Sequence, residues 1–363
     1  MRPGALGVRR MGQVTSLPGI DEAAVTAWPR DHLDGLDGPV HFTLIAAGGS
    51  NLTFRVEDDA GHAWALRRPP VAAVLATAHD MDREWRILTG LTGTAVPVPA
   101  PVARCRDVEV TGAPFYVMSF ADGTILRTEA DGARLDTTAA ETAADSLVDV
   151  QVVLHALDPE AVGLGDLTKR HTGYVERQLR RWKTQVDRAK VRELPLLDDL
   201  HDRLARTVPA EAGPPSLVHG DYRFDNVVLG DDPDTKDMRV AAVLDWELCT
   251  IGDAVADACW SLLYWIDPGD PLPFLDSAPT LAPAFPRRAD AAARYAARSG
   301  RDLDALGWFT VFGYWKMACI VEGVYARRLK GARGGAAQHD PSSIADRVDA
   351  FLAYAGDAAV GVL

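Results

Sequence analysis

The chain has 363 residues, of which 47% are hydrophobic and 25% charged, and its formal net charge is -13. That balance is ordinary for a globular protein long enough to build two lobes with separate cores. The acidity argues against nucleic acid and anionic membranes as partners, since both call for a basic surface. No run of roughly 18 apolar residues occurs, so no transmembrane helix is expected. Met1–Met11 carries Arg2, Arg9 and Arg10 without an apolar run behind them; no secretory signal is expected there, and Met11 is a second candidate start. Cys105, Cys249, Cys259 and Cys319 are scattered, as suits buried apolar residues in a reducing cytoplasm rather than a disulfide framework or zinc site.

In chain order, Ile20 to Leu33 predicts a leading helix with Asp21 as its N-cap. Val40–Ala47, Leu52–Val56 and Ala63–Arg67 predict three antiparallel strands, joined by Gly48-Gly49-Ser50-Asn51 and by a hairpin turn at Asp58–Gly61. Val74 to Leu91 predicts a helix with Leu75, Trp85, Leu88 and Leu91 mostly on one face and Glu84 in its middle. Val96–Pro101 predicts an extended crossing. Val108–Val110 and Pro114–Phe120 predict a second hairpin, which Gly123 follows. From there the pattern is helical. Leu147, Val150, Leu154 and Leu157 mark one amphipathic stripe with His155 beside it, a position that suits a structural histidine. Further helices are expected over Gly173–Lys190, Leu194–Thr207, from after Gly252-Asp253 through Trp265 (N-cap Asp253), Ala289–Ser299, Leu303–Lys330 and Ser343–Ala355. Pro268–Pro286 reads as a long loop. The tryptophans after residue 170 fit a helical core better than an acceptor pocket.

One stretch carries the chemistry. Leu217-Val-His-Gly-Asp-Tyr-Arg-Phe-Asp-Asn-Val-Val-Leu229 is a polar loop between apolar strand ends, and groups this polar are costly to bury unless paired, which suggests a site. Val243-Leu-Asp-Trp-Glu247 follows, a strand that ends in two carboxylates. Phosphoryl transfer needs a carboxylate to take the proton of the attacking hydroxyl and oxygen ligands for Mg²⁺ on the nucleotide. Protein kinases space the base and an Asn ligand five residues apart, with a later strand-end Asp. Asp221, Asn226 and Asp245 repeat that arrangement. His-Gly-Asp and Asp-Trp-Glu in this order resemble the aminoglycoside phosphotransferase and choline kinase-like superfamily. Leu154–Gly165 and Tyr174–Trp182 look closest to the phosphotransferases resembling the kinase domain fused to certain acyl-CoA dehydrogenases.

The resemblance implies an α+β, two-lobed protein-kinase-like fold. Residues 20–120 would form a small antiparallel β-sheet N-lobe with one helix, and residues 121–363 a larger, mainly helical C-lobe. It implies a cytoplasmic small-molecule kinase using ATP and Mg²⁺, with a hydroxyl acceptor and neither nucleic acid nor membrane as partner. Asp221 would be the base, and Arg223 would stabilise the transferring phosphoryl group. Asn226 and Asp245 would hold Mg²⁺, with Glu247 reaching a metal through water. Gly49, Ser50 and Asn51 would approach the phosphates. Arg67 stands where kinases carry Lys, with Glu84 as its helix partner, and Arg68 is the neighbouring cation. Backbone groups of Ser119 and Ala121, beside Met118, would meet adenine. His219 would orient the loop, and Asp257 would either anchor the loop backbone or be an exposed helix acid. A hydroxy acid or its thioester is the favoured acceptor. An antibiotic kinase, a nucleotide-binding pseudokinase and a partner-binding protein stay open.

Overall fold

Alternation of apolar and polar residues builds the first sheet. The computed structural model describes residues 22–47, 51–70, 81–231, 238–270, 277–330 and 341–363. Gly48, Gly49, Ser50, residues 71–80, which include 74–80 of the expected helix, and parts of the expected turn after Gly230, of the loop after Pro268 and of the segment after Lys330 lie outside them. Strands β1 (Val40–Ala47), β2 (Leu52–Asp58) and β3 (Ala63–Arg68) are joined by β4 (Pro101–Cys105) and β5 (Phe115–Ser119) in an antiparallel sheet of order β1-β2-β3-β5-β4. In β2, Leu52, Phe54, Val56 and Asp58 point inward while Thr53, Arg55 and Glu57 are half-buried, as a period of two requires. Phe54, Leu66, Phe115 and Val117 form the core with Val25 and Trp28 of α1 (Glu22–His32), Trp28 meeting Phe115 edge-on at 4.8 Å. The β2–β3 turn is held by a buried carboxylate. Asp58 accepts N–H bonds from Ala60 at 3.0 Å, His62 at 2.8 Å and Asp37 at 2.9 Å.

The second expected hairpin needs correcting. Val108–Thr111 is not a strand but a helical turn, α3, which Asp107 caps by accepting from Glu109 N at 2.9 Å. Gly112 ends it with φ +80 in the left-handed region, its N–H on Val108 O at 2.7 Å. The strand paired with β5 is β4 instead, at the sheet edge, where a leading proline is tolerated.

Among the described residues the chain divides into two compact units, one of residues up to Trp85 with Ala100–Phe120, the other of Arg86–Pro99 and Ala121–Leu363. The division falls inside α2 (Met81–Leu91). Helices dominate the second unit: α4 (Glu129–Gly132), α5 (Thr137–Ala156), α6 (Tyr174–Ala189), α7 (Pro195–Arg206), α8 (Ala254–Leu263), α9 (Arg288–Ser299), α10 (Leu306–Leu329) and α11 (Pro341–Ala358). Leu197 and Leu200 of α7, Val311 and Trp315 of α10 and Val348 and Phe351 of α11 share its core. Trp246, Trp260, Trp265, Trp308 and Trp315 are all buried. Two small antiparallel pairs complete the unit: β6 (Ser216–Val218) with β9 (Thr250–Gly252), and β7 (Val227–Asp231) with β8 (Met238–Val243). Among the described residues no helix is long and apolar enough to cross a membrane.

Candidate active site

In the first unit, β3 ends at a cation and α2 faces it with an acid. Arg67 Nε lies 2.8 Å from Glu84 Oε2, with the two side chains 11% and 2% exposed. Glu84 also accepts from Tyr116 OH at 2.9 Å and from Asn51 Nδ2 at 3.2 Å. Glu84 is therefore the hub of a buried cluster that fixes the Arg67 fork. Asn51, expected with the phosphate-binding turn, has its amide on this hub, whereas Gly49 and Ser50 lie outside the described residues. Arg68 is not the surface residue that a pair of arginines before Pro-Pro suggests. It is buried, with Nη1 on Thr111 O at 2.7 Å and Nε on Pro69 O at 3.1 Å. Met118 is buried in β5, beside Ala65 and Pro101. Ser119 donates its N–H to Ala100 O at 2.8 Å. Ala121, two residues on, is half-buried.

In the second unit, the loop between β6 and β7 is held from three sides. Asp257 of α8 is buried and accepts the backbone N–H of Gly220 at 2.8 Å and of His219 at 3.3 Å. It is the loop anchor and not an exposed helix acid. His155 Nε2 at 3.1 Å and Gln151 Nε2 at 3.4 Å complete its shell, and His155 Nδ1 meets Tyr295 OH at 2.7 Å. Burial opposes the charge on Asp257, yet the hydrogen bond from His155 brings its carboxyl below the usual carboxylate value. Buried His219 places Nε2 2.9 Å from Leu244 O and Nδ1 3.3 Å from Asp221 N. One neutral tautomer satisfies both contacts, with the proton on Nε2 and Nδ1 accepting. His219 thus ties the Asp221 segment to the one carrying Asp245.

Strand register brings the remaining groups together. Val227 pairs with Val243, and Leu244 N donates to Asn226 O at 2.8 Å, so Asn226, directly before β7, lies beside the segment leaving β8. Asn226 Nδ2 donates to Asp221 Oδ2 and to Asp221 O, each at 2.8 Å. With the amide nitrogen so committed, Oδ1 is the atom that can meet a cation. Asp245 has φ +65 and ψ 60, and is the one non-glycine residue with positive φ among the described residues. Asp tolerates that region better than most residues, and such backbone positions cluster at functional sites. Arg223 Nε lies 3.2 Å from Asp221 and 3.1 Å from Asp225, and its guanidinium stacks 4.7 Å over the Tyr264 ring. Burial, followed by the Asp221 charge, pushes the Asp225 carboxyl above its ordinary value despite Arg223. No three His, Cys, Asp or Glu side chains gather as a metal cluster among the described residues. Mg²⁺ does not require one, because it is usually held by one or two protein oxygens with phosphates and water.

Sequence reasoning missed Tyr116, the Asn51–Glu84 link, Gln151 and Lys316. Only Lys316 left a signal, as the one charge in the apolar run Val311–Val321.

Residues 41–309 match the phosphotransferase enzyme family. Acyl-CoA dehydrogenase family member 11 of Pongo abelii is 31% identical over 345 residues, covering 91% of this chain and 42% of that protein. The chain thus spans less than half the length of this relative. A Ralstonia eutropha structure provisionally named an aminoglycoside phosphotransferase is 28% identical, covering 93% of this chain and 98% of that one with a TM-score of 0.75. The GDP complex of aminoglycoside 2'-phosphotransferase-IIIa shares the fold at 15% identity and a TM-score of 0.64, covering 92% of this chain and 99% of that one. The architecture is that of the two-lobed, protein-kinase-like phosphotransferases.

Proposed function

Because the chain belongs to the phosphotransferase enzyme family, we propose that it transfers the γ-phosphate of ATP, with Mg²⁺, to a hydroxyl of a small molecule, foremost a hydroxy acid or its thioester. The observation that carries this reading is the join of Asp221, Asn226 and the Asp245 segment through two side-chain bonds and one strand register. Asp221 takes the proton of the acceptor hydroxyl as that oxygen bonds to the γ-phosphorus. The bond from the γ-phosphorus to the bridging oxygen breaks, and ADP leaves with the electron pair. Asn226 Oδ1 and the Asp245 carboxylate are the oxygens that would hold Mg²⁺, which neutralises phosphate charge when bound. Arg67, fixed by Glu84, grips the nucleotide phosphates, and Arg223 faces the charge on the transferring group. The carbonyl of Ser119 and the backbone of Ala121, beside Met118, meet adenine, and Gly49 and Ser50 approach the phosphates.

The longer relative, named for acyl-CoA dehydrogenation, supports an acyl acceptor. The name of the Ralstonia structure supports an aminoglycoside as the second reading. Four buried, unbridged cysteines suit a cytoplasmic enzyme. Labelled ATP with hydroxy acids, hydroxyacyl thioesters, choline and aminoglycosides tests the assignment. Asp221→Asn should retain nucleotide affinity and lose roughly 10²-fold or more of the transfer rate. Transfer above about a tenth of the original rate would remove Asp221 as the base.

A further inference from the structure

A cleft in the second unit is lined by Tyr174, Gln178, Gly220, Trp260, Phe312 and Lys316 among others. Gly220 directly precedes Asp221, so the cleft borders the loop at the reacting end. Its polar groups are unusual in kind. Lys316 Nζ sits 3.5 Å from the Trp260 ring centroid and 5.8 Å from that of Trp182, and among the described residues no carboxylate pairs with it directly, although the charges of Asp257 and Asp221 act on it. Asp257, the acid that lines the cleft, is already committed to His219, Gly220, His155 and Gln151. The indole N–H of Trp260, a residue 7% exposed, has no acceptor among the described residues.

Among the described residues the cleft therefore offers an ammonium in no direct ion pair and an N–H donor without an acceptor. An ammonium withdrawn from water is costly unless an anion meets it directly, and a buried N–H without an acceptor adds to the cost. Loss of surrounding water brings Lys316 down to about 8, where it is still mostly protonated at neutral pH. The aromatic face that would attract a cationic ligand is occupied by the protein's own ammonium.

We propose that this cleft is the acceptor's acyl subsite, in which Lys316 and Trp260 bind the oxygens of a carboxylate or thioester carbonyl while the hydroxyl of the same molecule faces Asp221. The inference rests on the kinase reading and deepens it: Lys316 selects for acyl compounds and against the polycationic amines that the whole-chain charge of -13 would attract. Phe309 and Phe312 supply an apolar wall for the intervening carbons.

The test separates binding from transfer. Hydroxybutanoate isomers, their coenzyme A thioesters, butanediol and ethanolamine are titrated calorimetrically into the full chain without nucleotide, and phosphoryl transfer to each is measured in parallel. An acyl compound should bind, and Lys316→Met should weaken it roughly tenfold or more, the usual loss for a charged hydrogen bond. Lys316→Arg should recover part of that loss. If only the acid binds, the subsite reads a carboxylate; if only the thioester binds, it reads a carbonyl. Unchanged affinity in Lys316→Met, ethanolamine binding as tightly as the acyl compounds, or no acyl compound binding would each overturn the proposal. Acyl binding that depends on Lys316 without any transfer would sink the kinase reading and leave the subsite standing. Transfer to an acyl acceptor with KM unmoved in Lys316→Met would do the reverse. Should Lys316→Met not fold, Trp260→Phe keeps the ring, removes the N–H and must by itself raise the acyl dissociation constant.

Discussion

Arg67 shows how one residue's role depends on what fixes its rotamer. In the proposed role a cation at the end of β3 has to meet multiply charged phosphates in one geometry, and a guanidinium is long and mobile unless held. Glu84 holds it, and Tyr116 and Asn51 in turn hold Glu84. Arg67→Ala should weaken ATP binding or slow transfer by roughly tenfold or more. Arg67→Lys keeps the charge without the fork and should retain partial activity. Glu84→Gln keeps most of the volume and should cause part of the same loss, with a coupling of about 1 kcal/mol in the double mutant. Strictly additive losses would make Arg67 a structural residue. Arg68→Ala cannot serve as the silent neighbour, because it orphans the Thr111 carbonyl and should cost about 1–3 kcal/mol of stability. Arg106, exposed and paired with Asp82, is the better control.

At the scale of the element, the loop between β6 and β7 explains why Gly stands between His219 and Asp221. Gly220 has φ +84, and a Cβ there would lie 3.0 Å from Leu248 Cβ and 3.1 Å from Leu248 O. Its N–H is also the shortest bond to Asp257. Gly220→Ala should therefore displace Asp221, lowering kcat by roughly ten- to a hundredfold while ATP affinity changes little. A kcat within about twofold of wild type would show that the loop adjusts without moving its base. The β2–β3 hairpin offers a test of pH. Burial opposes the charge of Asp58, but N–H bonds from Asp37 and His62 hold its carboxyl down at about 2, against an ordinary 3.8. A carboxyl depressed by folding adds stability that is present above pH 3.8 and lost as pH falls through 2. Thermal midpoints taken down through that window should fall in wild type and fall less in Asp58→Asn. Parallel curves would mean that other carboxylates set the acid limit.

For the whole molecule, the measurable consequence is coupling of nucleotide to stability. A ligand at a hundred times its dissociation constant adds about 2.7 kcal/mol, a shift of several degrees in a chain of this size. ATP with Mg²⁺ should raise the midpoint more than ATP alone. Asp245→Ala should remove the Mg²⁺-dependent part, and Asn226→Ala should remove less, because a carboxylate is the stronger ligand for a hard cation. Identical shifts in all three proteins would take both residues out of the metal site.

The local pattern of the sequence was enough for most elements and for the loop. Period-two strands, Asp253 as an N-cap and the five-residue step from Asp221 to Asn226 are properties of neighbouring residues, which the chain carries whatever its tertiary fold. Val108–Val110 misled because β-branched residues suit a strand, whereas Asp107 and Gly112 bracket a helical turn. Only the folded chain could decide what distant groups do. Asp257 is an anchor because α8 packs its carboxylate under the loop, and Arg68 is buried because Thr111, 43 residues away, turns a carbonyl toward it. Lys316 lies on Trp260 because α8 and α10 share a core. Burial and the pairing of charges are long-range quantities, and in this protein they separate a residue that carries chemistry from one that only resembles it.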